Sequence, residues 1–503
     1  MKPLLLAIDS GSTAIKVAVF DADGALVARG AASTPRAEQA PGRVERDPEE
    51  HWRTVATAVR TMMTKSDIDP RRIIAIGLAA QGDGVHLVGE NGHAVGPAIL
   101  SSDSRAAYVI ERWAADGTLD ELRRLTGQVP FPGSPAPLLR ALREEQPGLL
   151  DRARWLLSSK DWLRLRMTGE VATDRTDAAA SFADVETHGY SAAALDASGL
   201  DDLSGLLPEI LEPADLAGRL SHEAAELMGL VAGTPVAAGL HDVAAAVVGS
   251  VGLEPGRLCI IAGTFGVNVV LSSAPRPSSS VNIRSGPVPG LWSVRRTSRA
   301  SISNIEWAAR ILDTEGDGDA RTRAAISRVL NSEPRKDRPI YVPFLFGGNS
   351  GQPDSAAFFG VRSWHGSGDL LRAVIEGVTF NHRFDVEALE QELPIVGVTL
   401  AGGASRSPEW RRLFADVLGR SVAFAPDDDA GARGAAMCAA VVAGIHPDLA
   451  AASLRLAPRT RVVEPTDETD ALQPRYRTFC DALAHATDFD AAHPHAALIP
   501  EGS

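Results

Sequence analysis

The sequence predicts an α/β protein built from two similarly patterned halves that face one cleft, and three observations carry that expectation. The first 80 residues alternate strands with a helix, the grammar of an α/β domain. The segment "LCIIAGTFGVNVVLS" from Leu258 then repeats the strand, small polar turn and strand of "LLLAIDSGSTAIKVAVFD". Later, "VGVTLAGGASRS" from Val396 repeats the strand and glycine-rich turn of "IIAIGLAAQGDG". A chain of 503 residues is too long for one ordinary core, so the echo reads as a duplication. Its boundary falls in "GSVGLEPG", Gly249–Gly256, where glycines and a proline separate a helix from a strand. The domains expected are residues 1–249 and 250–503.

In order, "LLLAID" is the first strand, "SGST" a turn, "IKVAVFD" the second strand, "ADG" a turn and "ALVARGAAS" the third strand. The helix "PEEHWRTVATAVRTMMTKS" follows, with Asp47 as N-cap, Pro48 at its first position and Glu50 three residues after the cap. "IIAIGLAA" is a strand that runs into "QGDG". In "AAGLHDVAAAVVGS" a carboxylate interrupts a run of Ala, Val and Gly, and Asp242 reads first as the N-cap of the helix that follows. "AGARGAAMCAAVVAG", Ala430–Gly444, is a helix whose small-residue face suits a close helix contact or a nucleotide wall. "SSAPRPSSS" and "DTEGDGDARTR" read as surface loops without a chemical role.

A net charge of −14 argues against nucleic acid or an anionic membrane as partner, since both call for clustered Lys and Arg. Such a chain must handle phosphate with local amides, single cations or a metal. The apolar run in "MKPLLLAIDSGST" breaks at Asp9, far short of a signal or membrane-spanning segment. Cys259, Cys438 and Cys480 lie far apart with no CxxC spacing, which suggests neither a disulfide framework nor a zinc site. The compartment expected is the cytoplasm.

Four motifs carry chemistry. In "DSGST", Asp9 to Thr13, a tight turn of small residues offers backbone amides and the hydroxyls of Ser12 and Thr13 to a phosphate. Asp9 suits Mg2+ held through water, because Mg2+ binds through few carboxylates plus substrate phosphates. "AGTFG", Ala262–Gly266, stands in the equivalent place of the second half, with Thr264 as phosphate contact between two glycines. In "LAGGASRSPEW", Gly402 and Gly403 lie between a strand and a helix that begins near Pro408, where a planar ligand or a phosphate can approach the backbone. Finally, "AAQGDGVHLV" and "ILSSDSRA" place Gln81, Asp83 and Asp103 at strand ends, and two carboxylates with an amide suit a polyhydroxylated ligand. Arg105 serves equally as a ligand contact or as the ion-pair partner of a nearby carboxylate.

These motifs, with "PGRVERDPEEHW", "SSKDWLRLRMTGEVATDRTDAA", "YVPFLFGGNSGQPDSAAFFGV" and "LLRAVIEGVTFNHR", resemble in order the FGGY carbohydrate kinases of the actin-like ATPase superfamily. The resemblance runs over nearly the whole chain. It implies two duplicated actin-like (ribonuclease H-like) domains with an ATP and sugar cleft between them. It further implies Asp242 as catalytic base, Asp9 as the Mg2+ carboxylate, and Ser12, Thr13 and Thr264 as phosphate contacts. Gly403 and Ser407 fall where the family holds adenine and ribose, and Ser303, just before "IEW", falls at a further ATP contact. Gln81, Gly82, Asp83 and Asp103 fall where it holds sugar. His241 sits at a position that varies in the family and is assigned a neutral or packing role, not a catalytic one.

Within the family, "QGDG" and "SSDSRA" look most like the L-xylulose kinases, with erythritol kinases next. The D-xylulose enzymes instead carry Met-His at residues 82–83 and Trp-Asn-Asp in place of Ser101-Ser102-Asp103. The expected reaction is ATP- and Mg2+-dependent phosphorylation of a terminal hydroxyl of a small ketose, a pentulose such as L-xylulose or D-xylulose. A tetrulose or erythritol is the alternative, and a non-catalytic actin-like sensor of sugar or nucleotide is the rival from another class. Beyond the small-molecule substrate no partner is implied, and a homodimer is compatible with the pattern.

Overall fold

Leu4 to Ile8 alternate between two apolar layers, and this first strand is buried along its whole length, as expected of a strand covered on both faces. The computed structural model of the protein describes residues 2–35, 38–40, 42–263, 265–274, 278–312, 318–348, 352–426 and 429–493. The chain divides into two compact units. The first comprises Met1–Pro255, Leu271–Val294 and Asp429–Pro458, and the second Gly256–Val270, Arg295–Asp428 and Arg459–Ser503.

In the first unit β1 (Leu4–Ser10), β2 (Ala14–Asp21) and β3 (Leu26–Ser33) form an antiparallel meander. α1 (Pro48–Lys65) follows, with Asp47 accepting from the N–H groups of Glu49 and Glu50 as the sequence predicts. β4 (Ile73–Ala80) lies parallel to β1. Then come α2 (Ser159–Thr168), the short α3 (Arg175–Ala178), β5 (Leu216–Arg219), β6 (Pro235–Ala237), β7 (Leu240–His241) and α4 (Asp242–Val251). The sheet runs β5-β6-β4-β1-β2-β3, with β7 also paired in parallel to β4.

One face of this sheet is packed by α1 and α2 through Trp52, Val59, Met62, Trp162 and Leu163. The other face is covered by α4 and the helix Ala430–Val442, whose alanines meet Leu5, Ala7 and Val248. A Cβ on Gly434 would strike the carbonyl of Ala245, and one on Gly249 the carbonyl of Ala430. The glycine and alanine face of that helix therefore makes the close helix contact, and its cost in helix propensity is offset by backbone-to-backbone packing.

In the second unit β8 (Arg257–Ala262) and β9 (Gly266–Ser272) form the second hairpin, followed by β10 (Trp292–Ser298), α5 (Ile302–Leu312), α6 (Ser367–Glu392), β11 (Gly397–Gly402), α7 (Pro408–Leu418), β12 (Val422–Phe424) and β13 (Arg461–Val463). Its strands run in the order β10-β9-β8-β11-β12-β13, with β8 and β11 parallel. Of the run expected as a loop near Asp313, residues 313–317 lie outside the described residues, and the remainder begins the helix Gly318–Asn331. Among the described residues no helix is long and apolar enough to cross a membrane.

Candidate active site

Three parallel strands of the first unit end at one level, the edge at which open α/β sheets bind ligands. Register sets Asp9 beside Ala79 and Ser10 beside Ala80, and likewise Leu240 beside Ala79 and His241 beside Ala80. The ends of β1, β4 and β7 thus deliver Asp9, the loop Gln81–Asp83 and the pair His241–Asp242 to the same edge. Gln81 is fixed there by its backbone N–H on the Ser10 carbonyl at 3.0 Å.

The cap of α4 differs from the sequence expectation. His241, not Asp242, is the N-cap residue, and Asp242 is the first residue of the helix. The Val243 N–H lies 2.7 Å from Asp242 Oδ1 and 3.2 Å from His241 Nδ1. The imidazole Nδ1 is itself 2.9 Å from Asp242 Oδ1. Burial works against a charged ring, but Asp242, Asp83 and Asp177 outweigh it and carry the His241 pKa up to about 10. A ring protonated on both nitrogens donates to Asp242, so the Val243 N–H is left to that same carboxylate oxygen. His241, expected from the sequence to be a neutral or packing neighbour and not a catalytic group, is thus buried and paired with the carboxylate beside it.

Asp83 stands in the left-handed region at φ 57°, a conformation Asp tolerates and one that collects at functional sites. Arg284, on the strand Asn282–Ser285, grips it at 2.8 and 3.2 Å. Burial pushes the Asp83 carboxyl up, but Arg284 and His241 prevail and hold it below the usual carboxylate range. A Cβ on Gly82 would land on the His241 ring and 3.0 Å from Asp177 Oδ1, so residue 82 has room for no side chain while that ring is in place.

Beneath this edge lies a buried charge network. Lys160 Nζ meets Asp161 at 2.5 Å, Asp174 at 3.2 Å and Asp177 at 3.4 Å, and Arg164 meets Asp161 at 3.0 Å. Three carboxylates share two cations, and Asp177 is the one in surplus. Burial, with Asp174 and Asp161 nearby, outweighs Lys160 and raises the Asp177 pKa to about 7, while its Oδ1 makes no hydrogen bond. The network reaches the edge through Thr176, whose hydroxyl is bonded to Asp174 and accepts the His241 backbone N–H at 2.9 Å.

Asp103 does not join this constellation. Its carboxylate accepts from Arg105 Nε at 2.9 Å, from Arg105 Nη2 at 2.8 Å and from the Val44 N–H at 2.6 Å, and it is fully buried. With both oxygens engaged it holds the loop in place and offers a sugar hydroxyl nothing, so the sugar-contact expectation is corrected to an ion pair with Arg105.

At the turn after β1, Arg46 ties back the Ser12 carbonyl at 3.1 Å and the Thr34 hydroxyl ties back the Gly11 carbonyl at 2.9 Å. With the carbonyls drawn inward, the exposed side chains of Ser12 and Thr13 face solvent. Burial raises the pKa of Asp9 against Lys16 at 3.5 Å, and the nearby Asp242 and Asp429 carboxylates raise it further. A cation there would relieve that repulsion. A single buried carboxylate beside the hydroxyls and amides of the turn fits Mg2+ whose remaining ligands are water and phosphate oxygens.

In the second unit the parallel pairing of β8 and β11 sets Ala262 beside Gly402. A Cβ on Gly402 would come within 2.8 Å of the Ala262 carbonyl, and Gly403 faces Ile302 Cδ1 at 3.0 Å by the same measure. Gly263, Gly403 and the start of α5, which bears Ser303, are thereby brought together; the Ser303 hydroxyl bonds the Arg299 carbonyl at 3.3 Å. Ser407 lies beyond the turn Gly403–Arg406 as the N-cap of α7, and its hydroxyl also donates to Glu409 at 2.9 Å. Thr264 lies outside the described residues.

The doubled hairpin with helices on the sheet faces is the actin-like ATPase fold of the sugar kinases, which defines the class of protein. The chain belongs to the FGGY family of carbohydrate kinases: the model of that family's N-terminal domain matches residues 4–249 and the model of its C-terminal domain residues 258–443. It is a phosphotransferase acting on a sugar. A probable L-xylulose kinase of Pasteurella multocida is 30% identical over 86% of this chain and 89% of its own length. The erythritol kinase of Brucella abortus is 30% identical over 88% of each chain. A solved structure of a xyloylose kinase from Brucella ovis superposes with a TM-score of 0.83 at 27% identity, covering 97% of this chain and 100% of the other.

Sequence reasoning missed His241 as a charged group, Arg284, and the network around Lys160. The signal for the network was present, because "SSKDWLRLRMTGEVATDRTDAA" sets Lys160, Asp161, Asp174 and Asp177 among apolar residues, where unpaired charges are costly. Arg284 had no comparable signal, since nothing local to "VNIRS" says which carboxylate it meets.

Proposed function

We propose that the protein transfers the γ-phosphate of MgATP to a terminal hydroxyl of a small ketose, a pentulose such as L-xylulose or D-xylulose. The observation that carries this is the convergence of Asp9, Asp83 and Asp242 at the ends of three parallel strands. Asp83, held by Arg284, accepts a sugar hydroxyl, with Gln81 and Gly82 beside it on the same loop. Asp242 accepts the proton of the attacking hydroxyl as its oxygen bonds to the γ-phosphorus and the bond to the β-phosphate oxygen breaks, releasing ADP. The amides and hydroxyls of Ser12 and Thr13 stabilise charge on the transferred group, with Thr264 in the equivalent turn of the second half. Adenine and ribose are assigned to the Gly403–Ser407 turn, and Ser303 to a further ATP contact. Asp9 is the residue suited to hold Mg2+, which when bound neutralises phosphate charge.

The sugar and the base are assigned to the domain of residues 1–249, to which the segment Leu271–Val294 adds Arg284, and the nucleotide to the domain of residues 250–503, in a cytoplasmic enzyme. The resemblance of "QGDG" and "SSDSRA" to L-xylulose kinases favours an L-pentulose. The second reading, a tetrulose or erythritol, is favoured by the 30% identity to an erythritol kinase. A coupled ADP-release panel over D- and L-xylulose, D- and L-ribulose, erythrulose, erythritol and glycerol tests both. A pentulose that stands well above the rest supports the first reading; erythrulose or erythritol on top replaces it with the second, and ADP release without sugar overturns both.

A further inference from the structure

We propose that His241 is a positioning residue that acts on phosphoryl transfer through Asp242, and that residue 82 is glycine so that the imidazole can reach that carboxylate. This rests on Asp242 being the base.

Asp242 Oδ1 takes two donors, His241 Nδ1 at 2.9 Å and the Val243 N–H at 2.7 Å. Among the described residues no donor is bonded to Oδ2, and the side chain is 35% exposed, so Oδ2 is the oxygen presented for a proton. The ring that fixes Oδ1 is itself fixed from several directions. Its backbone N–H is bonded to Thr176 of α3 at 2.9 Å, its Nε2 lies 3.7 Å from Asp83 Oδ2 and 3.4 Å from Arg284, and its edge fills the space that a Cβ on Gly82 would take. The charged groups around it are Asp242 from α4, Asp83 from the loop after β4, Asp177 from α3 and Arg284 from its strand. Three carboxylates against one guanidinium favour the imidazolium, which keeps Nδ1–H a donor across the neutral range. A neutral ring with its proton on Nε2 would instead accept the Val243 N–H at Nδ1 and release the carboxylate.

Gly82 follows from the same geometry. Any Cβ there displaces the ring, and the next nearest atom it meets is Asp177 Oδ1 at 3.0 Å. A shift of about 1 Å in a group acting on the reacting atoms costs about 10²-fold in rate.

The test is steady-state kinetics on the full-length protein with MgATP and the best-used sugar of the panel, comparing Asp242→Asn, His241→Ala, His241→Gln, Gly82→Ala and the Gly82→Ala/His241→Ala double variant. His241→Ala is expected to lower kcat about 10²-fold with the KM of both substrates changed less than about threefold, the mark of a misplaced group rather than a lost binding site. His241→Gln, whose amide can reach the same oxygen, recovers about tenfold of that. Gly82→Ala lowers kcat in the parent but costs nothing further once the ring is gone.

Wild-type kcat in His241→Ala beside an inactive Asp242→Asn overturns the inference and leaves the base intact. Equal loss in the Ala and Gln variants, or additive losses at 82 and 241, also overturn it. Should His241→Ala fail to fold, Gly82→Ala decides alone, and wild-type kcat in that variant is the overturning result. Turnover retained in Asp242→Asn overturns the base reading itself.

Discussion

The two hairpin turns of the chain, "DSGST" in the first unit and "AGTFG" in the second, occupy equivalent places after equivalent strands, yet their surroundings differ in kind. The first is ringed by paired side chains: Asp83 with Arg284, Asp242 with His241, Asp9 with Lys16. Among the described residues of the second, Gly263, Gly402 and Gly403 pack mainly against carbonyls and an isoleucine, and Gly266 against the His382 ring and Ser301. The difference teaches what each half is suited to. Moving a proton and telling hydroxyls apart needs charged groups held in place, whereas a nucleotide can be held largely by amides and shape.

The largest effect expected is on the proton acceptor. Asp242→Asn should lower turnover by at least about 10²- to 10⁴-fold while the chain still folds, read by ADP release and a thermal melt, because Asn keeps the shape and removes the acceptor. Next is the foundation of the charged half. Lys160→Met removes the cation that meets Asp161, Asp174 and Asp177 and should cost about 3–5 kcal/mol, read by denaturant unfolding. A change under about 1 kcal/mol would mean those carboxylates are already neutral, and the contrast with the second unit would shrink.

Arg284→Met should raise the sugar KM about tenfold, equivalent to ~1.4 kcal/mol, and leave the MgATP KM unchanged, since it frees Asp83 and touches no nucleotide group. A rise in the nucleotide KM instead would break the division of labour.

The pH dependence is smaller and has a definite sign. His241 has a folded pKa of about 10 against 6.5 for the free side chain, so its contribution to stability is complete below the lower value and is lost as pH rises through about 10. Asp177, near 7 against 3.8, contributes below the lower value and loses its contribution as pH rises through about 7. Both fade toward alkaline pH, and His241→Gln should flatten the upper part of a melting-temperature profile.

The smallest effect is expected in the backbone-lined half. Ser407→Ala removes the cap of α7 at a cost of ~1 kcal/mol and should change the MgATP KM by less than about twofold. A larger change would mean that the Ser407 hydroxyl, and not the backbone of the Gly403–Ser407 turn alone, holds the ribose.

Much of this was legible before any coordinates. Asp47 caps its helix, the "DSGST" strand and turn lie where the period of apolar residues puts them, and the glycines of "AGARGAAMCAAVVAG" face another helix. Such features depend on neighbours a few residues apart. The candidate site was legible only in part: Asp83 and Asp242 stand at the strand ends, while Asp103 is consumed by Arg105, and His241 was read as filler.

By itself, the sequence determined the alternation of strands and helices, the doubled hairpin and the family, because periodicity and turn chemistry act over short distances along the chain. Only the tertiary structure decided charge states and partners. Asp83 meets Arg284 across 201 residues, and Lys160 lies among carboxylates whose spacing means nothing until α2 and α3 are packed together. Whether a buried ionisable group is a cost, a clamp or a proton acceptor depends on what stands within a few ångströms of it. No local pattern in the chain records that distance.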